Sequence, residues 1–227
     1  MARLAPLLLV GFLLAGTAVA FAVTQGLKEE RSAIFAVKFS REFGPHRPAL
    51  LRFKIRRADT VTATVVDSRG DSVRTLLHAR HPRGKVTLHW GGHATGGALA
   101  PQGEYRLRVR LAKGGVTIQI PTTFVLDTAP PTLTHVSVAP KLLTRGRRVV
   151  LRYATNEPGQ VILRVDGRRA VLTRPRVRAR PFTWDGTTGG KPVSLGRHVL
   201  RLRAVDLVGN RSEPSRPLTV VVRGAAS

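Results

Sequence analysis

Two stretches of the chain alternate strictly between apolar and polar positions. In residues 103–111 the apolar side chains share one face from Tyr105 onward, and residues 196–204 repeat the pattern. A period of two predicts β-strands with one face in a core and one face in water. The polar faces of the two stretches carry Arg106, Arg108, Arg110, Arg201 and Arg203.

Each alternating stretch follows the same kind of corner. The copies at residues 90–111 and 184–204 both run from a tryptophan through a glycine-rich loop to a single glycine and a strand. Trp90 and Trp184 carry large apolar areas and are predicted to anchor two cores. The loop glycines supply positive φ angles where the chain reverses, and Asp185 is predicted to bind turn amides.

The same period predicts seven strands in the first half of the chain. They are residues 33–39, 49–56, 60–66, 73–77, 85–90, 104–111 and 116–125. The segment Asp67 to Ser72 has the composition of a hairpin turn. Apolar positions of the second half match those of the first at an offset of one hundred, as in Leu51 and Leu151 or Val61 and Val161. This spacing indicates duplication of a whole domain.

Short strands, regular turn signals and the lack of a helical period predict an all-β protein with two tandem antiparallel β-sandwich domains. We place the first domain at residues 32–127 and the second at 132–223, with a tail at 224–227. The joint at 128–131 contains Pro130 and Pro131, which favour extended backbone and make a short, semi-rigid connection.

Residues 4–23 contain no charged side chain. As a helix they would span roughly 30 Å, the thickness of a bilayer core. We predict a single N-terminal transmembrane helix within residues 1–25, followed by a stem at 26–31. A cleaved signal peptide with its site at Ala18-Val19-Ala20 is the alternative. The flanking charges give no clear orientation, but long trailing domains translocate regardless of charge, so we expect them outside the cytoplasm.

The chain has 227 residues, no cysteine and a net charge of +25. The absence of cysteine excludes disulfides and thiol chemistry. The positive charge, carried mostly by arginine, attracts polyanions such as nucleic acids, anionic lipids or phosphate-rich and uronate-rich envelope polymers. Charge alone does not choose among them.

Several motifs together resemble the Ig-like domain of flagellar hook-capping proteins (FlgD-like). The first domain has Asp67 and Gly70 after a strand and the run from Pro101 to Tyr105, and the second has Trp184-Asp185-Gly186. The second domain departs from the pattern because it lacks the Pro-Xaa-Gly-Tyr run. The resemblance implies two Ig-like sandwiches without catalytic residues. Tandem copies resembling this domain, behind one N-terminal anchor, occur in envelope proteins of high-GC bacteria.

No nucleophile elbow, phosphate-binding glycine loop, zinc-protease motif or calcium loop stands in the sequence. We therefore predict no catalytic, cofactor-binding or metal-binding residues. The acidic residues are expected to stay scattered at turns, with Asp206 and Asn210 in one of them. His78, His81, His89 and His93 are interpreted as solvated loop residues, and His198, which replaces Tyr105 in the repeat, as half-buried. The Arg69-Gly70-Asp71 tripeptide is interpreted as a hairpin tip.

The residues from Arg174 to Arg180 alternate basic and apolar side chains, and Pro175 and Pro181 fit an edge strand. Its arginines are Arg174, Arg176, Arg178 and Arg180. Either they form a solvated, aggregation-resistant edge, or together with the five arginines of the alternating strands they contact an anion. No aromatic residues are interleaved with them, which disfavours binding of single-stranded nucleic acid.

These features predict a non-catalytic structural or interaction protein of the bacterial cell envelope. Its partner would be an anionic envelope component, a lipid surface or another protein. Two alternatives stay open: a nucleic-acid-binding module with cytoplasmic domains, and accessory binding domains for a separate envelope enzyme. The identity of the ligand, the oligomeric state and any link to flagella do not follow from the sequence.

Overall fold

The computed structural model describes residues 32–175 and 179–225. The predicted anchor at residues 4–23 and the stem lie outside the described residues, as do Arg176 and Arg178. Among the described residues, no helix is long and apolar enough to cross a membrane.

Regular structure in the described ranges consists of β-strands. The first nine are β1 (Ile34–Phe39), β2 (Glu42–Phe43), β3 (Ala49–Ile55), β4 (Asp59–Val66), β5 (Ser72–His81), β6 (Gly84–Trp90), β7 (Gly103–Leu111), β8 (Val116–Gln119) and β9 (Phe124–Leu126). The others are β10 (Leu133–Ala139), β11 (Leu142–Thr144), β12 (Val149–Thr155), β13 (Gly159–Val165), β14 (Arg168–Leu172), β15 (Phe182–Trp184), β16 (Thr187–Thr188), β17 (Lys191–Pro192), β18 (Gly196–Asp206) and β19 (Leu218–Arg223). The all-β prediction is confirmed.

The strands form two groups with separate cores. In the N-terminal unit (β1–β9) one sheet has the order β1-β3-β6 and the other β2-β9-β7-β4-β5, with β8 also paired to β7. In the C-terminal unit (β10–β19) the sheets have the orders β10-β12-β15 and β11-β19-β18-β13-β14, beside a small β16–β17 pair. Each core gathers the inward residues of both sheets of its own unit.

The two units repeat the same uncommon features. In each, the first strand pairs in the three-stranded sheet, and the chain then crosses to the other sheet and runs parallel to its last strand. The first strand also bulges at the same place, where Ala36 and His135 have φ angles of 52° and 53°. A side chain with positive φ is uncommon outside glycine, so its recurrence supports an internal duplication.

The alternation in the sequence is reproduced in the burial of the strands. Along β3 every second residue, from Ala49 to Ile55, is buried, while Arg52 and Lys54 are exposed. Two details differ from the prediction. The strand expected at 116–125 is divided into β8 and β9, because Pro121 between them has no amide to donate. Strand β2 has two residues, too few for a period to be recognised.

Both tryptophans are core anchors, as predicted. Trp90 is 2% exposed and Trp184 is 1% exposed. The indole nitrogen of Trp90 donates to the carbonyl of His93 at 2.9 Å, and that of Trp184 donates to the carbonyl of Thr187 at 2.8 Å. Inside this turn Thr187 donates its amide to Asp185, at 3.1 Å, which confirms the predicted role of Asp185.

Tyr105 of the first copy and His198 of the second occupy the same position in the corner. Tyr105 donates its hydroxyl to the carbonyl of Pro101, and Nε2 of His198 lies 2.8 Å from the carbonyl of Ser194, each four residues back. His198 is 4% exposed, so the expectation of a half-buried side chain is wrong. Its Nδ1 lies 2.6 Å from Oδ2 of Asp166. Both partners of the ring are acceptors, and only the doubly protonated imidazole donates to both.

The joint between the units is also held by direct contacts. Asn210 donates its side-chain amide to the carbonyl of Asp127 at 3.1 Å, and Arg47 donates to the carbonyl of Leu207 at 2.9 Å. Val208 lies against Gly44, where an added Cβ would meet a Val208 methyl at 3.1 Å. The loop after β18 therefore packs on the N-terminal unit.

We predict that Trp184→Ala destabilises the C-terminal unit by about 3–5 kcal/mol, because it removes a buried indole and leaves a cavity. Trp90 then becomes the only fluorophore of its kind and reports on the N-terminal unit. In a urea titration, circular dichroism should show that the C-terminal unit unfolds at lower urea than in the wild type. The Trp90 fluorescence should show that the N-terminal unit keeps its wild-type midpoint. An equal shift of both signals would show that the two cores unfold as one.

We predict that part of the stability of the C-terminal unit is lost as pH rises. Burial lowers the pKa of His198, but its hydrogen bonds to Asp166 and Ser194 outweigh burial and raise the pKa above its ordinary value. A raised pKa in the folded state means that this contribution is complete below the unfolded pKa, about 6.5, and is lost as pH rises through the folded value.

The measurement is the urea midpoint of the C-terminal unit at about pH 6 and about pH 9, for wild type and for His198→Tyr. A tyrosine reproduces the Tyr105 arrangement and does not titrate in this range, so the variant should lose this part of the pH dependence. Identical pH dependence in the two proteins would contradict the assignment.

Candidate anion-binding surface

The predicted arginines of the N-terminal unit lie on the outer face of its six-stranded sheet. Arg106, Arg108 and Arg110 on β7 pair with Val66, Thr64 and Thr62 on β4. Arg108 donates to the carbonyl of Gly70 at 2.8 Å and so supports the β4–β5 turn. Because Val66, Thr64 and Thr62 stand opposite the three arginines, no second row of cations faces them on the described residues of β4.

The C-terminal unit presents a denser arrangement. Arg164 on β13 is directly opposite Arg201 on β18, and on its other side it is opposite Arg169 on β14. We call these three residues the arginine row. Residues directly opposite on antiparallel strands share a face, and like charges there repel each other. The row therefore concentrates three cations on one rigid surface.

An open cleft of about 340 Å³ adjoins the row. Its lining includes Arg164, Arg201, Arg203, Asp166 and Val199. Arg164 donates to the carbonyl of Gly167 at 2.7 Å, which fixes the direction of its side chain at the mouth of the cleft. The cleft thus combines three guanidinium groups with one carboxylate.

The carboxylate of Asp166 is already hydrogen-bonded by residues of the C-terminal unit. Burial raises its pKa, but the hydrogen bonds from the amide of Val199 and from His198 outweigh burial and lower the pKa below its ordinary value. Oδ1 accepts from Val199 at 2.9 Å and Oδ2 contacts His198. Because Asp166 is the one acidic residue among the described residues that line the cleft, against three arginines, the cleft keeps a net positive charge.

Sequence reasoning found Arg201 and Arg203 but missed Arg164 and Arg169. A signal for the missed pair was present. Asp166 and Gly167 have φ angles of 48° and 81°, as in the two-residue hairpin turns that favour Asp-Gly. That turn places Arg164 opposite Arg169.

None of the described residues of the basic segment 174–180 lies in the arginine row. Arg174 and Arg180 are exposed and lie outside the strands, between the end of β14 and the start of β15. The middle of the segment is outside the described residues.

The other candidates take structural positions. His78, His81 and His89 lie in β5 and β6, so the expectation of loop histidines is wrong for them, while His93 follows β6 and is exposed. The Arg69-Gly70-Asp71 tripeptide forms the predicted hairpin tip. There Asp67 accepts the amides of Arg69 and Asp71 at 3.0 and 2.9 Å.

The expectation that acidic residues stay scattered is wrong for three of them. Asp127, Glu157 and Asp206 each place an oxygen within 4.8 Å of the others. They lie at the joint between the units and are the described residues best suited to hold a hard metal ion.

Part of the N-terminal unit is similar to a known protein family. Residues 51–115 match the family model of the FlgD Ig-like domain. Over 61 residues the chain is 38% identical to the basal-body rod modification protein FlgD of Salmonella typhimurium and 36% identical to that of Escherichia coli K12. Each match covers 27% of this chain and 26% of the relative. The chain thus spans about a quarter of the length of these relatives.

Solved structures that align with most of this chain include the fibronectin(III)-like modules of CbhA from Clostridium thermocellum. They cover 83% of this chain and 95% of their own, with a TM-score of 0.44 and 14% identity. The BSP domain of a biofilm-associated protein covers 84% of this chain and 30% of its own, with a TM-score of 0.29 and 14% identity.

The match in the N-terminal unit includes most of β3 and all of β4 to β7. It contains the Asp67 and Gly70 turn and the run from Pro101 to Tyr105 on which the resemblance rested. Residues 51–115 of this chain are therefore similar to the FlgD Ig-like domain.

Proposed function

We propose that this protein is a non-catalytic interaction protein of a bacterial cell envelope. Residues 4–23 hold it in the membrane, and its two basic Ig-like domains lie outside the cytoplasm. The C-terminal domain binds an anionic envelope polymer, rich in phosphate or uronate groups, through the arginine row and Arg203.

The arginine row is the observation that carries the proposal. Arg169, Arg164 and Arg201 repel one another across three paired strands, so an anion that lies along the row relieves a cost already present in the fold. Guanidinium groups bind phosphate and carboxylate through paired hydrogen bonds. A polymer with regularly spaced anions matches cations that are regularly spaced by the strands.

The local chemistry supports binding and not catalysis. His198 is buried, and its two ring nitrogens are engaged by a carboxylate and a backbone carbonyl. It therefore has neither a free nitrogen nor a hydroxyl partner with which to act as a base. The matched relatives of the N-terminal domain are rod-modification proteins by name.

Sequence features support the envelope setting. Residues 4–23 are apolar and long enough for a bilayer core. Sandwich domains without cysteine need no disulfide formation after export. Phosphate-rich and uronate-rich envelope polymers are among the polyanions that a strongly positive domain would attract there.

The test is binding of the full-length protein to polyphosphate and to polygalacturonate as salt is increased. A variant with Arg164, Arg201 and Arg203 all changed to Gln should bind at least one of the two about tenfold more weakly, with a shallower dependence on salt, because fewer counterions are released. Circular dichroism of the variant checks that its fold is kept.

The matched control changes Arg52, Lys54 and Lys85 to Gln, which removes the same charge from the outer face of the N-terminal β1-β3-β6 sheet. This control should bind as wild type does. Equal losses in the two variants would show that total charge, and not the row, determines binding. Stronger binding to duplex DNA than to either polymer at physiological salt would favour the nucleic-acid alternative.

A further inference from the structure

The joint gathers acidic groups from three distant parts of the chain. Asp127 follows β9 in the N-terminal unit, Glu157 lies between β12 and β13, and Asp206 ends β18. One oxygen of each carboxylate lies within 4.8 Å of those of the other two. In a chain with 13 acidic and 38 basic residues, this convergence of like charges is unusual.

The two carboxylate oxygens of Asp206 differ in their hydrogen bonding. The residue is 6% exposed, and its Oδ1 accepts the amides of Val208, Gly209 and Asn210 at 2.9, 2.6 and 2.9 Å. Its Oδ2 is buried and has no hydrogen-bond partner. A buried carboxylate oxygen left unpaired costs free energy, and a bound ion is one way in which native proteins satisfy such an oxygen.

No basic side chain neutralises the cluster within the described ranges. None of the three carboxylates forms an ion pair there with lysine or arginine. The neighbouring Arg47 directs its guanidinium group to the carbonyl of Leu207 instead. Burial raises the pKa of Glu157, and the charges of Asp127, Asp206 and Glu42 raise it further. The three carboxylates thus repel each other, and in the described ranges no ion pair with lysine or arginine offsets this repulsion.

We propose that Asp127, Glu157 and Asp206 bind a calcium ion at the joint. Carboxylate oxygens are ligands for hard cations, and calcium accepts six to eight of them in an adaptable geometry. Oδ1 of Asp127 accepts the amide of Ala129 at 3.0 Å, which orients this carboxylate as the amides of the 206–210 turn orient Asp206. Magnesium fits less well because it requires a tight octahedron.

The ion connects the two units. Asp127 belongs to the N-terminal unit, whereas Glu157 and Asp206 belong to the C-terminal unit, so one cation draws ligands from both sides of the proline-rich joint. Existing contacts at the joint already bring the ligands together, notably the bond from Asn210 to Asp127. Calcium would add an electrostatic link to this contact and restrict motion between the units.

The experiment uses the full-length chain, freed of metal with a chelator, and titrates calcium chloride calorimetrically. One calcium should bind with a dissociation constant of about 10⁻⁴–10⁻³ M, as in other modules that function outside cells. The thermal unfolding midpoint should rise in calcium, and magnesium at the same concentration should raise it less.

Glu157→Gln is expected to weaken calcium binding about tenfold, because it removes one of the three ligand charges. Asp206→Asn should do the same while keeping Oδ1 for the turn amides. Glu213→Gln is the matched control: Glu213 is exposed and outside the cluster, so its variant should bind calcium as wild type does. If Asp206→Asn fails to fold, Glu157→Gln still decides the question.

Three results would overturn the proposal. They are the absence of calcium heat or stabilisation at about 10 mM, equal affinities in the Glu157 and Glu213 variants, and equal binding of magnesium. The inference goes beyond the binding of an anionic polymer. The variant lacking Arg164, Arg201 and Arg203 should keep its calcium affinity, so failure of one proposal leaves the other testable.

Discussion

Each unit is built around an indole ring that must be buried and must still donate a hydrogen bond. Trp90 and Trp184 supply the largest side chains of their cores, but each carries one polar nitrogen, which inside a core needs an acceptor. The acceptor in both units is a carbonyl three residues ahead. The chain must therefore turn at once after the tryptophan, and Gly92 and Gly186, with φ angles of 86° and 83°, make the turn. The chain leads from this corner into β7 in the first unit and into β18 in the second, and both strands bury alternate residues in their cores.

The sequence predicted what depends on neighbouring residues and missed what depends on pairing between distant strands. The inward and outward faces of β3, β4 and β7 follow from period two, because each strand has one face in the core. The arginine row needed the register of β13 against β18, which no local pattern contains. The Asp-Gly turn fixed only the half of the row that pairs β13 with β14.

The acidic cluster shows the same limit more sharply. The segment from Asp206 to Asn210 was interpreted as a turn, and it is one: Asp206 caps it with one carboxylate oxygen. The sequence could not show that the other oxygen would be buried, or that Glu157 and Asp127 would each place a carboxylate oxygen within 4.8 Å of one of Asp206. Such a meeting depends on how the two units pack, and that follows from the contacts of Val208 with Gly44, of Asn210 with Asp127 and of Arg47 with Leu207.

The duplicated architecture lets the two units diverge in charge while keeping their frame. Tyr105 and His198 make the same bond to a carbonyl four residues back, yet the histidine also engages Asp166 and so joins the corner to the cleft beside the arginine row. The spacing of the row is set by the β-ladder, with about 4.8 Å between strands, and does not depend on the joint. A cation at the joint would instead restrict how one unit is oriented against the other. Under the two proposals the arginine row would set the spacing of the anions that it binds, whereas the acidic cluster would set the orientation of one unit against the other.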